Sequence, residues 1–229
     1  MKKILVTGAN GQLGQCLQKI SSQFEEFEFI FTDSETLDIT NKEEVNDFFW
    51  QNAPDFCINA AAYTAVDLAE TEVEKAFLVN ADGAENLAEA CAENNAQFIH
   101  VSTDFVFDGE NNLAYTEEDF TNPLGVYGAS KLAGDELALE VNPCSVILRT
   151  SWVYSEFGKN FVKTMLNLFA TKEELNIVAD QFGQPTNAND LAQAIMKIIK
   201  SEKITPGIFN FSNLGRISWF DFAEKIAEL

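Results

Sequence analysis

The chain has 229 residues, of which 46% are hydrophobic, and a formal net charge of −21. Its length fits one domain, or one large domain with a small appendage. The negative charge argues against nucleic acid and anionic membranes as partners, because both bind surfaces rich in Lys and Arg. No run approaches the ~18 apolar residues of a membrane helix, and the short apolar run after Lys3 does not resemble a signal peptide. We therefore expect a cytoplasmic protein.

Short β-rich runs alternate with helical patterns over the first two-thirds of the chain. This alternation predicts an α/β fold, a doubly wound parallel sheet of the Rossmann type with helices on both faces. The predicted strands, all continuous apolar runs, are Lys3–Thr7, Glu28–Thr32, Phe56–Asn59, Gln97–Ser102 and Ser145–Leu148. The predicted helices between them are Gln12–Ser22, Lys42–Gln51, Glu72–Asn94 and Val126–Glu140.

The pattern loosens beyond Arg149. The elements predicted there are a helix at Asn160–Ala170, a strand near Leu175–Val178, a helix at Ala188–Ser201 and a strand at Ile208–Phe211. We expect residues 1–149 to form an NAD(P)-binding domain, and residues 150–229 to form mostly a small C-terminal substrate-binding lobe interleaved with the sheet. The sequence stops inside an amphipathic pattern, Trp219–Leu229, without a helix-ending signal. We therefore expect the natural chain to continue and this lobe to be truncated.

A glycine-rich turn stands between the first predicted strand and the first predicted helix. It reads Gly8-Ala9-Asn10-Gly11-Gln12-Leu13-Gly14, a G-x-x-G-x-x-G spacing. A strand, a tight glycine turn and a helix N-terminus in this order bind a dinucleotide pyrophosphate through backbone N–H groups, without basic side chains. Three glycines alone also fit an ordinary turn, but their position here favours a cofactor site.

Asp33 follows the second predicted strand. A carboxylate there can accept hydrogen bonds from the hydroxyls of an adenosine ribose and repels a 2′-phosphate. No Lys or Arg lies between Lys19 and Lys42 to offset this repulsion. We therefore predict NAD(H) or NADP(H) as cofactor and favour NAD(H), with an ordinary strand-end role for Asp33 as the alternative. Asp38 and Ile39 begin the next unit and are candidates to flank the adenine.

Tyr127 and Lys131 stand four residues apart, so on a helix they share one face. A neighbouring ammonium lowers the pKa of a phenol and can also hydrogen-bond the nicotinamide ribose. The spacing alone is common by chance. The end of the fourth predicted strand adds Thr103, whose hydroxyl can polarise a carbonyl, and strand ends are where open α/β sheets bind ligands. Together these residues predict a redox site.

The four cysteines, Cys16, Cys57, Cys91 and Cys144, lie far apart, and His100 is the sole histidine. This pattern predicts neither a metal site nor a disulfide framework. We expect reduced, mostly buried thiols. His100 lies inside an apolar strand, which predicts a hydrogen-bonded core histidine more than a catalytic one.

These motifs resemble the extended short-chain dehydrogenase/reductases that act on nucleotide sugars, and within them the dTDP-4-dehydrorhamnose reductases. Besides the glycine turn, the matching segments cover the chain almost end to end. They are residues 59–67, Asn80, and residues 102–109, 123–131, 149–154 and 180–186. The resemblance implies reduction of dTDP-4-dehydro-6-deoxy-L-mannose to dTDP-L-rhamnose by hydride transfer from NAD(P)H.

The resemblance also implies roles for particular positions. Tyr127 would donate a proton to the C4 oxygen, Lys131 would tune it and bind the ribose, and Thr103 would share the hydrogen bond to the carbonyl. The cofactor would be lined by Gly11, Gln12, Leu13, Asp33, Asp38, Ile39, Ala62, Tyr63 and Thr64. The sugar would be contacted by Thr103, Asp104 and Trp152. Core packing is the alternative for Trp152, and a structural role is the alternative for Asn80.

Related chemistries and assemblies remain as alternatives. A dehydratase needs a second acid/base after the threonine and aspartate, and Phe105 cannot transfer a proton. Another epimerase or reductase of the superfamily, or a non-catalytic regulatory subunit of the same fold, is not excluded. The combination of Thr103, Tyr127 and Lys131 favours an enzyme. Asn189 stands where some members carry a carboxylate for metal-mediated dimerisation, which argues against that mode of assembly and leaves a homodimer open.

Overall fold

The computed structural model describes residues 1–228 and has a six-stranded parallel sheet at its centre. The strands are β1 (Lys2–Thr7), β2 (Phe27–Phe31), β3 (Phe56–Asn59), β4 (Gln97–Thr103), β5 (Val146–Thr150), β6 (Val153–Tyr154), β7 (Phe182–Gly183), β8 (Thr186–Asn187), β9 (Gly207–Phe211) and β10 (Ile217–Ser218). The helices are α1 (Gln12–Ser21), α2 (Lys42–Asn52), α3 (Val66–Ala69), α4 (Val73–Phe77), α5 (Gly83–Glu93), α6 (Val126–Val141), α7 (Phe161–Phe169), α8 (Ala188–Lys200) and α9 (Trp219–Ala227).

The order of the central strands is β2-β1-β3-β4-β5-β9, and every neighbouring pair is parallel. The chain moves outward from β1 to β2 and then crosses back to β3 on the other side. This reversal opens a crevice at the carboxyl ends of β1 and β3, where open α/β sheets bind ligands. The prediction of a doubly wound parallel sheet is confirmed.

Two apolar layers sandwich the sheet, because successive side chains of a strand point to opposite faces. Ile4 and Val6 of β1 pack under α1 and α8, whereas Leu5 packs under α2, α5 and α6. Full burial of each such side chain contributes about 1.5–3 kcal/mol. Within residues 1–228 every helix is too short or too polar to span a membrane.

Most predicted elements are present to within one or two residues, but two predictions need correction. The segment Leu175–Val178 is not a strand. Its neighbourhood hydrogen-bonds the first turn of α9 instead, because Phe220 N donates to the Val178 carbonyl and Trp219 N to the Gln181 carbonyl. Because these carbonyl groups accept hydrogen bonds from α9, the segment does not pair with a neighbouring strand.

The helix predicted over Glu72–Asn94 is interrupted. It consists of α4, a single π-helical turn at Leu78–Asp82, and α5. Asn80 in that turn donates from its amide to the Tyr63 carbonyl (3.0 Å) and to the Ser130 hydroxyl (2.9 Å). The inserted residue of a π turn lets the buried Asn80 side chain reach both partners.

A third apolar cluster joins α7 and α9 away from the sheet. Met165, Phe222 and Ile226 are its buried members, and the indole of Trp152 stacks on that of Trp219 with ring centroids 3.4 Å apart. The cluster belongs to the segment beyond Arg149, whose α8 and β9 return to the sheet layers. The later part of the chain is therefore interleaved with the first.

Helix α6 touches the π turn so closely that only glycine fits at position 134. A Cβ there would lie 2.1 Å from the Asn80 carbonyl oxygen. Helix propensity favours alanine over glycine by about 0.5–1 kcal/mol, but this clash against backbone has the opposite sign. We expect Gly134→Ala to lower the free energy of unfolding by about 1–3 kcal/mol, as measured by urea denaturation.

Gly83→Ala is the matched control. Its Cβ would meet the Ile39 side chain at 2.8 Å and lie in ordinary contact with the Leu78 carbonyl oxygen at 3.5 Å. A side chain can move aside more easily than backbone. The loss should therefore be smaller than for Gly134→Ala. A Gly134→Ala protein as stable as the parent would contradict the packing described here.

Candidate active site

A cavity of about 980 Å³ opens at the carboxyl ends of β1, β3, β4 and β5. It runs from the glycine turn past the ends of β2 and β3 to the start of α6. The structure brings most of the predicted site residues to its wall, namely Gly8, Gly11, Gln12, Leu13, Asp33, Asp38, Ile39, Ala62, Thr64, Thr103, Asp104, Tyr127, Lys131 and Trp152. Gly14 and Tyr63 are not part of the wall.

The glycine turn forms a tight backbone cradle at one end of the cavity. Gly8 has a φ of +66°, and a Cβ there would lie 2.6 Å from the backbone of Ala60. A Cβ on Gly14 would lie 2.4 Å from the Gly8 carbonyl oxygen. Gly14 is therefore required by the packing of α1 against the turn, although it does not line the cavity. This cradle, followed by the free N–H groups of the first turn of α1, fits a pyrophosphate.

The side chain of Gln12 points away from the space that a phosphate would take. Its carbonyl oxygen accepts hydrogen bonds from the Ser155 hydroxyl (3.0 Å) and the Asn160 amide (2.9 Å). Gln12 thus joins the glycine turn to the segment after β6. Its means of binding a phosphate is its backbone N–H.

Asp33 lies exposed at the end of β2, beside the cavity. Its carboxylate accepts hydrogen bonds from the Asn10 amide (2.6 Å), the Thr36 hydroxyl (2.9 Å) and backbone N–H groups. The hydroxyl of Thr36 is the largest cause that holds the pKa of Asp33 below its usual value. Asp33 therefore organises a turn and also presents a fixed negative charge to the cavity.

The segment after β3 contributes Ala62 and Thr64 to the wall, but not Tyr63. The phenol of Tyr63 donates to Glu72 (3.1 Å), away from the cavity. The backbone N–H of Tyr63 donates to the Asn80 carboxamide oxygen (2.8 Å). The structure gives Asn80 the structural role named above, because it fixes this segment against α6.

Tyr127 lies in the first turn of α6, edge-on to the ring of Phe105 with ring centroids 5.6 Å apart. Burial raises the pKa of Tyr127 to about 12, against the opposing effect of the nearby Thr103 hydroxyl. Lys131 was expected to lower the pKa of Tyr127. Its amine hydrogen-bonds Val101 and lies beside His100 instead, and the effect of burial on the phenol is the largest one. The phenol keeps its proton at neutral pH.

Lys131 is buried, with 1% of its surface exposed. Its Nζ donates to the Val101 carbonyl (2.9 Å) and lies 3.0 Å from Nε2 of His100. Burial lowers the pKa of Lys131 to about 8, opposed by the charge of Asp135. The amine therefore bonds to core groups behind the cavity, whose wall Lys131 also lines.

His100 is a core residue, as predicted, and its contact with Lys131 was not anticipated. It is fully buried on β4, and its Nδ1 lies 3.0 Å from the amide nitrogen of Asn59 on β3. Burial holds the pKa of His100 well below its usual value, so the ring is neutral. The sequence signal available was only that β3 and β4 both end in polar residues.

Lys159 lies on the cavity wall and was not singled out from the sequence. It lies exposed next to Gly158, whose Cα approaches Gln12 closely enough that a Cβ would lie 3.0 Å from the Gln12 Cγ. A contact between residues so distant in the chain leaves no local pattern in the sequence.

Trp152 combines the two roles that were considered for it. It lines the cavity and also stacks on Trp219 in the third apolar cluster. Its φ of +46° is in the left-handed region, which a bulky residue rarely adopts. The stacked partner and the backbone together fix the indole at the cavity edge.

All four cysteines are free, and only Cys144 is exposed. The prediction that most of these thiols are buried is confirmed. In the part of the chain that the structure describes, no group of three or more His, Cys, Asp or Glu side chains could hold a metal ion.

A parallel sheet with a glycine cradle after β1, and a Tyr-Lys pair beside a strand-end threonine, defines a nicotinamide-dependent oxidoreductase of the short-chain dehydrogenase/reductase type. Comparison with known proteins agrees. The family model described as "RmlD substrate binding domain" matches residues 1–229. A dTDP-4-dehydrorhamnose reductase of Aggregatibacter actinomycetemcomitans is 46% identical over 99% of this chain and 78% of its own length.

Two solved structures are also similar. A dTDP-4-dehydrorhamnose reductase of Clostridium acetobutylicum has a TM-score of 0.95 and 45% identity over 99% of this chain and 79% of its own. One from Bacillus anthracis, in complex with NADP, has a TM-score of 0.95 and 42% identity over 100% of this chain and 80% of its own. The chain therefore belongs to the family described by that model, and to the dTDP-4-dehydrorhamnose reductases.

Asp104 offers a test of the electrostatics at the site. Burial raises the pKa of Asp104 from 3.8 to about 6. As the pH rises from about 4 to 6, Asp104 loses its proton in the unfolded chain before it does so in the folded one. The ionised carboxylate is less favourable in the folded state, so the free energy of unfolding falls over this pH range. We expect Asp104→Asn to raise the free energy of unfolding by about 1–2 kcal/mol at neutral pH, and not below pH ~4.

Asp108→Asn is the control of opposite sign, measured by the same urea titrations. A hydrogen bond from the Tyr115 phenol lowers the pKa of Asp108, so its charged form stabilises the fold above its pKa. Its replacement should lower stability at neutral pH. A destabilised Asp104→Asn protein at neutral pH would refute the burial of Asp104 as the dominant effect.

Proposed function

We propose that this chain reduces dTDP-4-dehydro-6-deoxy-L-mannose, also called dTDP-4-dehydrorhamnose, to dTDP-L-rhamnose, with Tyr127 as the proton donor. The observation that carries the proposal is the pair of hydroxyls, of Thr103 and Tyr127, on the wall of the cavity that begins at the glycine cradle. The bound nicotinamide cofactor supplies the hydride to C4 of the sugar. The names of the relatives support the substrate.

The protonation state of Tyr127 suits a reduction. With a pKa near 12 the phenol is neutral at physiological pH and carries the proton that the ketone oxygen needs. The Thr103 hydroxyl, at the end of β4, shares the hydrogen bond to that oxygen. Phe105 lines the cavity next to them and contributes no acid or base, which favours ketone reduction over loss of water.

Asp104 and Trp152 are the proposed contacts to the sugar. The carboxyl group of Asp104 is a hydrogen-bond acceptor when ionised and can donate to a hydroxyl when protonated. The indole of Trp152 offers an apolar face that its stacking on Trp219 holds in place. Both residues line the same cavity as Tyr127.

Tyr127→Phe tests the proton donor. Without the hydroxyl, the rate constant kcat should fall by about 10²–10⁴-fold, while the Kd for the cofactor stays close to that of the parent. Cofactor oxidation with dTDP-4-dehydrorhamnose gives the first value, and fluorescence titration gives the second. Tyr115→Phe is the matched control, because its hydroxyl bonds to Asp108 outside the cavity. Equal turnover by Tyr127→Phe and the parent would rule out Tyr127 as donor.

The residues that would hold the cofactor follow the cavity wall. The backbone of the glycine turn would take the pyrophosphate. Asp33, Asp38 and Ile39 would surround the adenosine, and Ala62 and Thr64 would lie along the nicotinamide half. Lys131 would bind the ribose next to Tyr127. The cradle that a Cβ on Gly8 or Gly14 would fill supports this arrangement.

We further propose that NAD(H) is preferred over NADP(H), although the relative from Bacillus anthracis was solved with NADP. The carboxylate of Asp33 is held by four hydrogen-bond donors, which keep its pKa low and its charge in place. A fixed charge beside the ribose repels a 2′-phosphate. Lys159 also lines the cavity, next to Gly158, but no hydrogen bond or ion pair joins it to Asp33 in residues 1–228.

Asp33→Asn tests the preference directly. Removal of one charge at the cavity edge should shift the ratio of Kd values for NADPH and NADH towards NADPH by about 5-fold or more, since such a pair contributes about 1 kcal/mol. Glu28→Gln, on the same strand β2 but away from the cavity, changes the net charge equally and should leave the ratio unchanged. A parent protein that strongly prefers NADPH would overturn this part of the proposal.

The division into a cofactor domain at residues 1–149 and a substrate-side lobe at 150–229 stays a prediction, as do a cytoplasmic location and a homodimer. Asn189, where a carboxylate was expected, donates from its amide to Glu156 (2.9 Å). Glu156 also pairs with Lys19, which lowers the pKa of Glu156 to about 2. The carboxylate of Glu156 thus has both of its partners within this chain. This supports an assembly in which no metal ion bridges two chains at Asn189.

A further inference from the structure

The residues that connect β6 to α7, numbers 155–160 and here called the β6–α7 turn, lie against the start of α1. Two hydrogen bonds to the Gln12 side chain hold the turn there, one from the Ser155 hydroxyl (3.0 Å) and one from the Asn160 amide (2.9 Å). The same amide also donates to the Ser155 and Phe157 carbonyls, at 2.8 and 3.2 Å. Bonds inside the turn and bonds to α1 therefore fix its backbone.

Gly158 lets this turn approach the first residue of α1 closely. Its φ of +59° lies in the left-handed region, and a Cβ on it would lie 3.0 Å from the Gln12 Cγ. Lys159 follows Gly158 directly, and both residues line the cavity. The backbone of Lys159 is therefore held beside the N-terminus of α1.

The ammonium group of Lys159 is available to a ligand. Lys159 is exposed, and within residues 1–228 its side chain makes no hydrogen bond or ion pair. Two other lysines near this turn are both bound to Glu156. Lys19 pairs with the Glu156 carboxylate, and Lys163 donates to the Glu156 carbonyl at 2.9 Å. Lys159 differs from them in that its charge is left without a partner.

The charges of the cavity wall indicate what Lys159 can bind. Among the described residues, the wall carries two cationic side chains, and that of Lys131 bonds to core groups. Lys159 is thus the cation that can move towards an anion in the cavity. An ammonium has three donors on a flexible stem and suits the oxygens of a phosphate. The glycine turn, which fits a pyrophosphate, lies beside it.

We propose that Lys159 binds the pyrophosphate of the nicotinamide dinucleotide, together with the backbone N–H groups of the glycine turn. The inference rests on the proposed function only in taking such a dinucleotide as the ligand. The ammonium offsets part of the repulsion between a pyrophosphate and a chain whose net charge is −21. The β6–α7 turn thereby forms a second side of the pyrophosphate site, supplied by the later part of the chain.

Two other phosphate groups have to be distinguished from this one, the 2′-phosphate of NADP(H) and the diphosphate of the nucleotide sugar. A 2′-phosphate belongs beside Asp33, which bonds to Asn10 and Thr36 and, within residues 1–228, not to the β6–α7 turn. The contact between Gly158 and Gln12 favours the pyrophosphate over both alternatives. Gln12 is the first residue of α1, and a helix N-terminus is where a pyrophosphate binds.

Lys159→Gln tests the proposal, because it removes the charge and keeps most of the side-chain length. The Kd values for NADH and NADPH should rise by the same factor, about 5- to 10-fold, in fluorescence titrations. Added salt should reduce this difference from the parent, since it screens an exposed charge pair. The Kd for adenosine, which has no phosphate, should not change in calorimetric titrations. Lys159→Arg should bind both cofactors as the parent does.

Lys172→Gln is the matched control, and it should leave both Kd values unchanged. Lys172 is also exposed and lies outside the cavity wall, and its side chain has no hydrogen bond or ion pair in the described part of the chain. Equal affinity of Lys159→Gln and the parent for both cofactors overturns the proposal. A loss confined to NADPH, or a loss confined to the probe dTDP, overturns it too, because Lys159 then serves the 2′-phosphate or the nucleotide sugar. A parent that binds NADH without turnover of dTDP-4-dehydrorhamnose contradicts the proposed function alone.

Discussion

The carboxamide of Asn59 is the interaction on which the site depends. It lies at the carboxyl end of β3 and hydrogen-bonds Thr7 of β1, the backbone after its own strand, and His100 of β4. These are the strands whose ends form the crevice. One side chain therefore fixes the relative position of the glycine cradle, the cavity floor and, through His100, the buried lysine. Loss of such a group leaves several buried donors without acceptors, at about 1–3 kcal/mol each.

Helix α6 packs on the sheet through a layer of buried polar side chains. Lys131, Asp135 and Arg149 are nearly inaccessible to water, and burial of charge is unfavourable unless every group is paired. Asp135 and Arg149 satisfy each other in part, at 3.1 Å. Burial lowers the pKa of Lys131 to about 8, opposed by the charge of Asp135 in the same layer. The arrangement favours a single well-defined geometry over maximal stability.

Much of the fold and part of the site could be predicted, because the relevant patterns are local. Strand Phe56–Asn59 and the glycine turn follow from apolar runs and from residues that adjoin in the sequence. Tyr127 and Lys131 follow from helical spacing. Tyr63, the π turn around Asn80 and the Asn59–His100 contact could not be predicted in this way. Each depends on hydrogen-bond partners between 9 and 50 residues away in the sequence. The strand predicted at Leu175–Val178 is wrong for the same reason, since α9 supplies its hydrogen bonds.

The side-chain amide of Gln12 joins the glycine turn to the segment after β6. It lies at the start of α1, where a pyrophosphate would sit, and it holds Ser155 and Asn160 of the later segment. A displacement of the first turn of α1 would therefore act on the hydrogen bonds that hold the later segment. By thermodynamic reciprocity, a change in the later segment would act on ligand affinity at that turn by the same factor.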